Sequence, residues 1–327
     1  MKIVTLGELI LDMFASESGK DFFSVSAFLP VAGGAPANVA VAAARLGVKS
    51  SFIGKVGEDP FGHRLEAVLK GYGVDTRGMR FDKRYRTTLN FMTLPDAHRT
   101  EMLFYRNPGA DMFLEPAELD TALIEQASVY HFGSVSLAVE PCRSAALEGA
   151  RLARKAGVLV SFDVNYRPSL WSGEARAEAE ISAALPLVDI VKVNEAELRF
   201  ITGSDDAETG CRSIVQRGPA LCVATFGPRG SSWATRSGAD TVPGFTVQAV
   251  DATGCGDAFM AAVLVRILAG LGDNAKSRRG AVESLETGLL SDAVRWANAA
   301  GAITARTKGV MNALPDTRAV ESLIRNE

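Results

Sequence analysis

Three short, nearly continuous apolar runs recur along the second half of the chain: VLVSFD at Val158–Asp163, VDIVKVN at Val188–Asn194 and ALCVATFG at Ala220–Gly227. None shows the strict alternation of a half-exposed strand, so they read as strands covered on both faces. Helical stretches separate or follow them. Pro141–Ala156 carries proline in its first turn and closes before Gly157, and Asp257–Ala269 is largely apolar and closes at Gly270. This rhythm predicts an α/β fold with a mostly parallel central sheet and helices on both faces. Tyr85–Tyr105 differs, because TTLNFMTL and TEMLFY flank the turn-prone PDAH and predict a β-hairpin. With the segment Asp12–Pro30 it can form a small sheet projecting from the main body, where a lid would be. The polar stretch Gly272–Arg279 reads as a surface loop, and no internal repeat is present.

Composition narrows the function. The 327 residues include 35 Lys+Arg against 38 Asp+Glu, a net charge of -3, so there is no basic excess to neutralise a nucleic-acid backbone. The length allows two domains, but an α/β fold of this size often stays one body with an insertion. Glu8 and Asp12 interrupt the apolar N-terminal stretch, which lacks a small-residue cleavage site, so no secretory leader is expected. The longest apolar run, Ala258–Val265, stops at Arg266, far short of the roughly 18 residues a membrane helix needs. Cys142, Cys211, Cys222 and Cys255 form no C-x-x-C pair and no metal-ligand spacing with His63, His98 and His131. A reduced, cytoplasmic protein is the expectation.

The most informative segment is AVDATGCGDAF at Ala249–Phe259, which passes from a strand-like stretch, FTVQAV, through Gly254 and Gly256 into an apolar helix. Such a turn aims several backbone N–H groups at one point of a helix N-terminus, where an anion such as phosphate is favoured. Asp257 stands beside that point. It is either a first-turn acid of the helix or the base that deprotonates a hydroxyl attacking a γ-phosphoryl group. A second glycine pair opens GGAPANVAVAAARLG at Gly33–Gly47, where Pro36 suits a helix first turn and Asn38 offers an amide that can donate and accept. It is either a ligand-holding turn for a polyhydroxylated molecule or the start of an Ala-rich packing helix. No G-x-G-x-x-G and no G-x-x-x-x-G-K-[ST] occurs, which argues against a dinucleotide-dependent dehydrogenase and against a P-loop protein.

Together the two segments resemble the paired signatures of the ribokinase-like (PfkB) carbohydrate kinases, G-G-x-x-x-N and D-T-x-G-A-G-D. Within that family the chain looks most like fructokinases of the plant and bacterial type, through GELILDMF (7–14), FIGKVGEDPFG (52–62), YRNPGADM (105–112), EPCRSAAL (140–147), DVNYRPSLW (163–171) and VKVNEAEL (191–198). The resemblance spans essentially the whole chain, with departures at Ala252 and Cys255. It implies a three-layer ribokinase-like sandwich over residues 1–327, with lid strands inserted at about 12–31 and 84–110, and an ATP-dependent sugar kinase. Fructose is the implied substrate; an aminoimidazole riboside, 2-keto-3-deoxygluconate or a silent sugar- or nucleotide-binding regulator are the alternatives.

The same resemblance implies residue roles. Asp257 would be the base, with N–H groups from Thr253 through Gly254, Cys255 and Gly256 as the anion hole. Asp12, Gly33, Gly34 and Asn38 would hold the sugar. Arg106 and Arg167 would lie near sugar or phosphates, with Asn107 and Asp111 beside them. Asn194 and Glu197 match an N-x-x-E in which the acid orients water on Mg²⁺, Thr225 and Gly227 would face phosphate or ribose, and Asn298 would touch adenine. Asp251 and Thr253 match a K⁺ site of potassium-activated relatives. Asp12 has the alternative of a strand-end acid, Asn194 and Glu197 of a helix cap and first-turn acid, and Asn298 of a packing residue. The implied partners are ATP and a small sugar, with no nucleic acid, no membrane, and a homodimer through the lid.

Overall fold

The computed structural model describes residues 1–96, 99–272 and 278–326. His98 and most of the polar stretch after Gly272 lie outside them. The strands in chain order are β1 (Lys2–Leu6), β2 (Ile10–Ala15), β3 (Phe28–Gly33), β4 (Lys49–Gly57), β5 (Asp75–Asp82), β6 (Leu89–Asp96), β7 (Arg99–Tyr105), β8 (Val129–Gly133), β9 (Leu159–Asp163), β10 (Ile190–Asn194), β11 (Leu221–Thr225), β12 (Ser231–Ala234) and β13 (Ala239–Val242). The helices are α1 (Ala35–Arg45), α2 (Pro60–Gly71), α3 (Thr121–Glu125), α4 (Cys142–Lys155), α5 (Glu174–Ala184), α6 (Glu195–Thr202), α7 (Ala207–Gln216), α8 (Cys255–Leu271), α9 (Arg278–Glu283), α10 (Thr287–Thr304) and α11 (Thr317–Arg325).

Among the described residues, nine strands form the main sheet in the order β13-β12-β11-β10-β9-β8-β1-β4-β5. It is parallel from β11 to β5 and antiparallel only at β12 and β13. Two cores cover its faces, one centred on α1, α8 and α10 and the other on α4 to α7. Burial on both faces is why the predicted strands carry apolar residues at consecutive positions. The main sheet with a helical layer on each face is the expected α/β sandwich, and the predicted small sheet is separate from it, with the order β3-β2-β6-β7.

Three local readings change. FTVQAV at 245–250 forms no strand: Pro243 follows the end of β13, and Val250 N–H is held by the Ala305 carbonyl at 2.7 Å, not by a neighbouring strand. α8 begins at Cys255 and runs through Gly270, because Gly272, at φ 62°, is the left-handed residue that ends it. Asp12 is no strand-end acid; it sits inside β2, opposite Val31 on one side and Asn90 on the other.

Candidate active site

Polarity rises along the main sheet toward the carboxyl ends of its strands. On the face packed against α1 and α8, Ile3, Val129 and Leu159 lie deep, the next rung is Thr5, His131 and Ser161, and beyond it Asp163 stands opposite Lys192. Lys192 Nζ donates to both Asp163 oxygens at 3.1 and 2.9 Å, and both side chains are buried. Burial works against the Lys192 charge, yet Asp163, Glu197 and Asp257 outweigh it and raise the ammonium's pKa. His131, bonded through Nδ1 to the Ser161 hydroxyl at 2.9 Å, is driven down to about 3 by burial and by Lys192, and is therefore neutral.

The N-terminal turn of α8 lies over this floor. A Cβ on Gly256 would stand 2.8 Å from Lys192 Nζ, so a side chain there would displace the ammonium or the turn. Gly254, at φ 80°, caps the helix in the left-handed region. Thr253 N–H is taken by Asp251 Oδ1 and Cys255 N–H by the Ala252 carbonyl, whereas the N–H groups of Gly254 and Gly256 bond to no described residue. Of the four N–H groups expected to form an anion hole, two therefore have no described partner, and the Lys192 charge lies beneath them. The Cys255 side chain lies outside the cavity lining, and burial pushes its thiol up to about 12.

Asp257 occupies the first turn of α8. Its Oδ2 accepts from Asn38 Nδ2 of α1 at 2.7 Å, and burial raises its pKa to about 6 despite that bond. Facing it across a cavity of about 660 Å³ is Asp12, whose Oδ1 accepts from Asn90 Nδ2 at 2.8 Å and whose pKa burial raises to about 7. Gly33 does not line the cavity; it makes room for Asp12, since a Cβ there would overlap that carboxylate. Gly34 does line it, at φ 108°, where a Cβ would overlap the Glu8 carbonyl. Glu8 Oε1 accepts from Ala35 N–H at 3.1 Å, so this carboxyl caps α1 from outside the helix. Glu8 Oε2, Asn38 Oδ1 and Asn90 Oδ1 are buried without a partner. Three unsatisfied acceptors around Asp12 and Asp257 match a ligand rich in hydroxyl donors.

Of the other expected residues, Arg106, Arg167, Asn194, Thr225, Asp251 and Thr253 line the cavity. Arg106 is committed by its Nε to Asp111 Oδ2 at 2.7 Å, and Thr88 Oγ1 donates to the other Asp111 oxygen at 2.5 Å. Asn107 is exposed and outside the cavity. Asn194 caps α6, its Oδ1 accepting from Glu197 N–H at 2.9 Å. Glu197 is also a scaffold residue: its oxygens accept from Tyr166 N–H at 2.7 Å and Asn194 N–H at 2.8 Å, which pins the loop carrying Arg167 to α6. Asn298 clamps β12 and the end of β13, accepting from Ser231 Oγ and donating to the Val242 and Pro243 carbonyls, and this use of its amide keeps it out of the cavity. Gly227, at φ 58°, opens the turn after β11 outside the lining.

Among the described residues no group of three or more His, Cys, Asp or Glu could hold a metal ion. Asp251 spends its carboxylate on Thr253 N–H, Thr253 Oγ1 and Gly309 N–H. These bonds shape the turn that carries the residues expected at a K⁺ site.

A buried carboxylate, an adjacent turn with two N–H groups over a cation, and a pocket with unsatisfied acceptors are parts that a phosphoryl-transfer site would need. Residues 1–317 match the pfkB family carbohydrate kinases. The chain belongs to that family. Probable fructokinase-4 of Arabidopsis thaliana is 42% identical over 325 residues, covering 99% of this kinase and 96% of the plant protein. Two solved structures are each 32% identical. Fructokinase with bound ATP from Xylella fastidiosa superposes with a TM-score of 0.90 over 99% of this kinase and 98% of that chain. Fructokinase from Vibrio cholerae O395 in a fructose, ADP and calcium ion bound form gives 0.84 over 98% of both.

The residues of the kinase that the sequence reading passed over are Lys192, Asn90 and Glu8. Lys192 had a visible signal: a lysine inside an apolar strand run must find a partner when buried. Lys192→Met is expected to destabilise the kinase by about 3–5 kcal/mol, because it strands the Asp163 charge in the interior. Thermal melts check this, and Lys192→Met/Asp163→Asn should recover much of the loss.

Proposed function

We propose that the kinase transfers the γ-phosphoryl group of ATP to the 6-hydroxyl of D-fructose. The observation that carries the reading is Asp257, a buried carboxylate held by Asn38 between the Gly254–Gly256 turn and the pocket of Asp12 and Asn90. Asp12 would accept from two neighbouring sugar hydroxyls, and the free oxygens of Asn38 and Asn90 would accept from others. Asp257 would take the hydroxyl proton as the oxygen bonds to the γ-phosphorus and the bond to the bridging oxygen of ADP breaks. The N–H groups of Gly254 and Gly256, with Lys192 beneath and Arg167 beside them, would stabilise charge on the transferring group. Mg²⁺ would enter with ATP and neutralise phosphate charge; Glu197, each of whose oxygens accepts one N–H and keeps a lone pair, would orient water on it while fixing Asn194 and the Arg167 loop. The small sheet would be the lid of a single kinase domain.

The ligands of the two bacterial fructokinase structures and the identity to the plant protein support fructose and ATP over the riboside and acid-sugar alternatives. An ADP-release screen over fructose, ribose, glucose, 2-keto-3-deoxygluconate and nucleosides tests the reading; a leading substrate other than fructose would replace it.

The same reading includes a homodimer through the small sheet. Its side away from the cavity carries Phe28, Phe91 and Tyr105, with Phe28 edge-on to Phe91 at 5.0 Å and Phe91 5.3 Å from Tyr105, while Leu103 and Tyr105 are exposed. Leu103→Glu/Tyr105→Glu is expected to convert a dimer to a monomer in sedimentation velocity. A parent that sediments as a monomer would remove this part. No helix among the described residues is long and apolar enough to cross a membrane. The four free cysteines support a reducing compartment such as the cytoplasm.

A further inference from the structure

Phe14 of β2, Met92 of β6 and Val310 form a small apolar cluster separate from the two large cores of the main sheet. Val310 is completely buried. It belongs to the loop after α10, which is tied to the turn before α8. Val250 and Asp251 N–H groups donate to the Ala305 carbonyl at 2.7 and 3.1 Å, and Gly309 N–H donates to Asp251 Oδ2 at 3.1 Å. The Val310 side chain also lies against Gly254, where a Cβ would stand 2.6 Å from Val310 Cγ1. One side chain therefore touches both the small sheet and the anion-binding turn.

Strand geometry says what the contact transmits. Residues two apart in a strand share a face, so Phe14 lies on the face of Asp12 and Met92 on that of Asn90. The β2–β6 ladder pairs Asp12 with Asn90 and Phe14 with Met92. The rung assigned to sugar hydroxyls is thus followed, about 7 Å along the strand, by the rung that grips Val310. Thr253 and Lys308 border the same narrow cleft as Phe14 and Met92, so the anion-binding turn and its supporting loop close on that rung together. Packing at interior density passes small displacements on, because it leaves no room to absorb them.

We propose that Val310 is a positioning residue that couples sugar occupancy to the shape of the phosphoryl-binding turn. Sugar on Asp12 and Asn90 seats the small sheet, Phe14 and Met92 press Val310 onto Gly254, and the Gly254 and Gly256 N–H groups converge on the phosphoryl group. The inference rests on the sugar-site assignment above. It gives the kinase a way to complete the phosphoryl site only when an acceptor hydroxyl is present, which limits transfer to water.

Linkage makes the coupling measurable, since a sugar that tightens nucleotide binding is itself tightened by the same factor. Titration calorimetry on the intact chain compares the affinity for a non-hydrolysable ATP analogue with and without saturating fructose. The parent is expected to bind the analogue at least about fivefold more tightly with fructose, and Val310→Ala to shrink that factor below about twofold, with each ligand's separate affinity changed far less. Phe14→Leu reaches Val310 from the other side and does not line the main cavity. It should lower the factor similarly, and the double variant should add little more, because the two act on one contact. If Val310→Ala does not fold, Phe14→Leu decides alone. A parent without coupling, or variants that keep the parent's factor, overturn the proposal. A parent that binds no fructose, or an Asp12→Asn variant with unchanged fructose affinity, shows instead that the sugar-site assignment has failed and takes the inference with it.

Discussion

Asp257→Asn is expected to lower kcat by about 10²-fold or more while leaving the fold and ATP affinity nearly intact, the usual worth of a positioned general base. Asparagine keeps the size of the side chain and one oxygen that can accept from Asn38, so α1 and α8 stay connected across the site. What it cannot do is take a proton. The pH dependence carries the same argument with a sign. Burial raises Asp257 to about 6, and a base acts only when ionised, so the parent's kcat should fall as pH drops below about 6. Asp12, raised to about 7 by burial, must also be ionised to accept two hydroxyl bonds, so KM for the sugar should begin to rise at a higher pH than the one at which kcat fails. Steady-state rates from pH 5 to 8 separate the two. A purified Asp257→Asn protein that turns over within a fewfold of the parent would mean that phosphoryl transfer does not depend on this carboxylate.

The parts of this site that were legible in the sequence are those whose signal is local. The Gly254–Asp257 turn announces itself because a left-handed cap, a glycine that allows close approach and a first-turn acid must all fall within four consecutive residues. The main-sheet strands were legible for a similar reason, since burial on both faces leaves consecutive apolar residues. The Asp163–Lys192 pair is different: its members come from neighbouring strands 29 residues apart, and only the register brings them together. Asn90 reaches Asp12 through a parallel ladder between segments 78 residues apart, which the hairpin pattern does not reveal. Glu197 and Asn298 moved in the opposite direction. Glu197 is engaged in a capping box and Asn298 in a β12–β13 clamp, structural contacts that a local motif does not reveal. FTVQAV shows the limit of propensity, because a β-prone segment with no strand beside it remains a loop.

Substrate charge gives the other large effect. Asp12 is buried, opposite Asn90 and within electrostatic reach of Asp257, so two of the pocket's carboxylates already repel each other. Of the cations, Arg106 is tied to Asp111 and Lys192 to Asp163 beneath the α8 turn, which leaves Arg167, whose attraction on Asp12 is smaller than the repulsion from Asp257. A further carboxylate, brought by 2-keto-3-deoxygluconate, would force Asp12 either to meet like charge in a partly desolvated site or to take up a proton and lose an acceptor. Either costs roughly several kcal/mol. A neutral ketose meets neither penalty. Fructose is therefore expected to exceed 2-keto-3-deoxygluconate in kcat/KM by at least about 10²-fold, as befits a site built to bond hydroxyls. Asp12→Asn should damage fructose use far more than ATP affinity, since its amide would bring an NH₂ group to a place arranged for an acceptor and leave a sugar hydroxyl or Asn90 unpaired. The same variant removes one negative charge from the pocket, so the preference for fructose over the acid sugar should narrow even as both rates fall. Kinetics on both sugars with both proteins decide the matter. Equal or reversed preference in the parent, or an Asp12→Asn protein whose loss appears only in the ATP dependence, would show that Asp12 does not face the sugar and that the pocket was assigned to the wrong substrate.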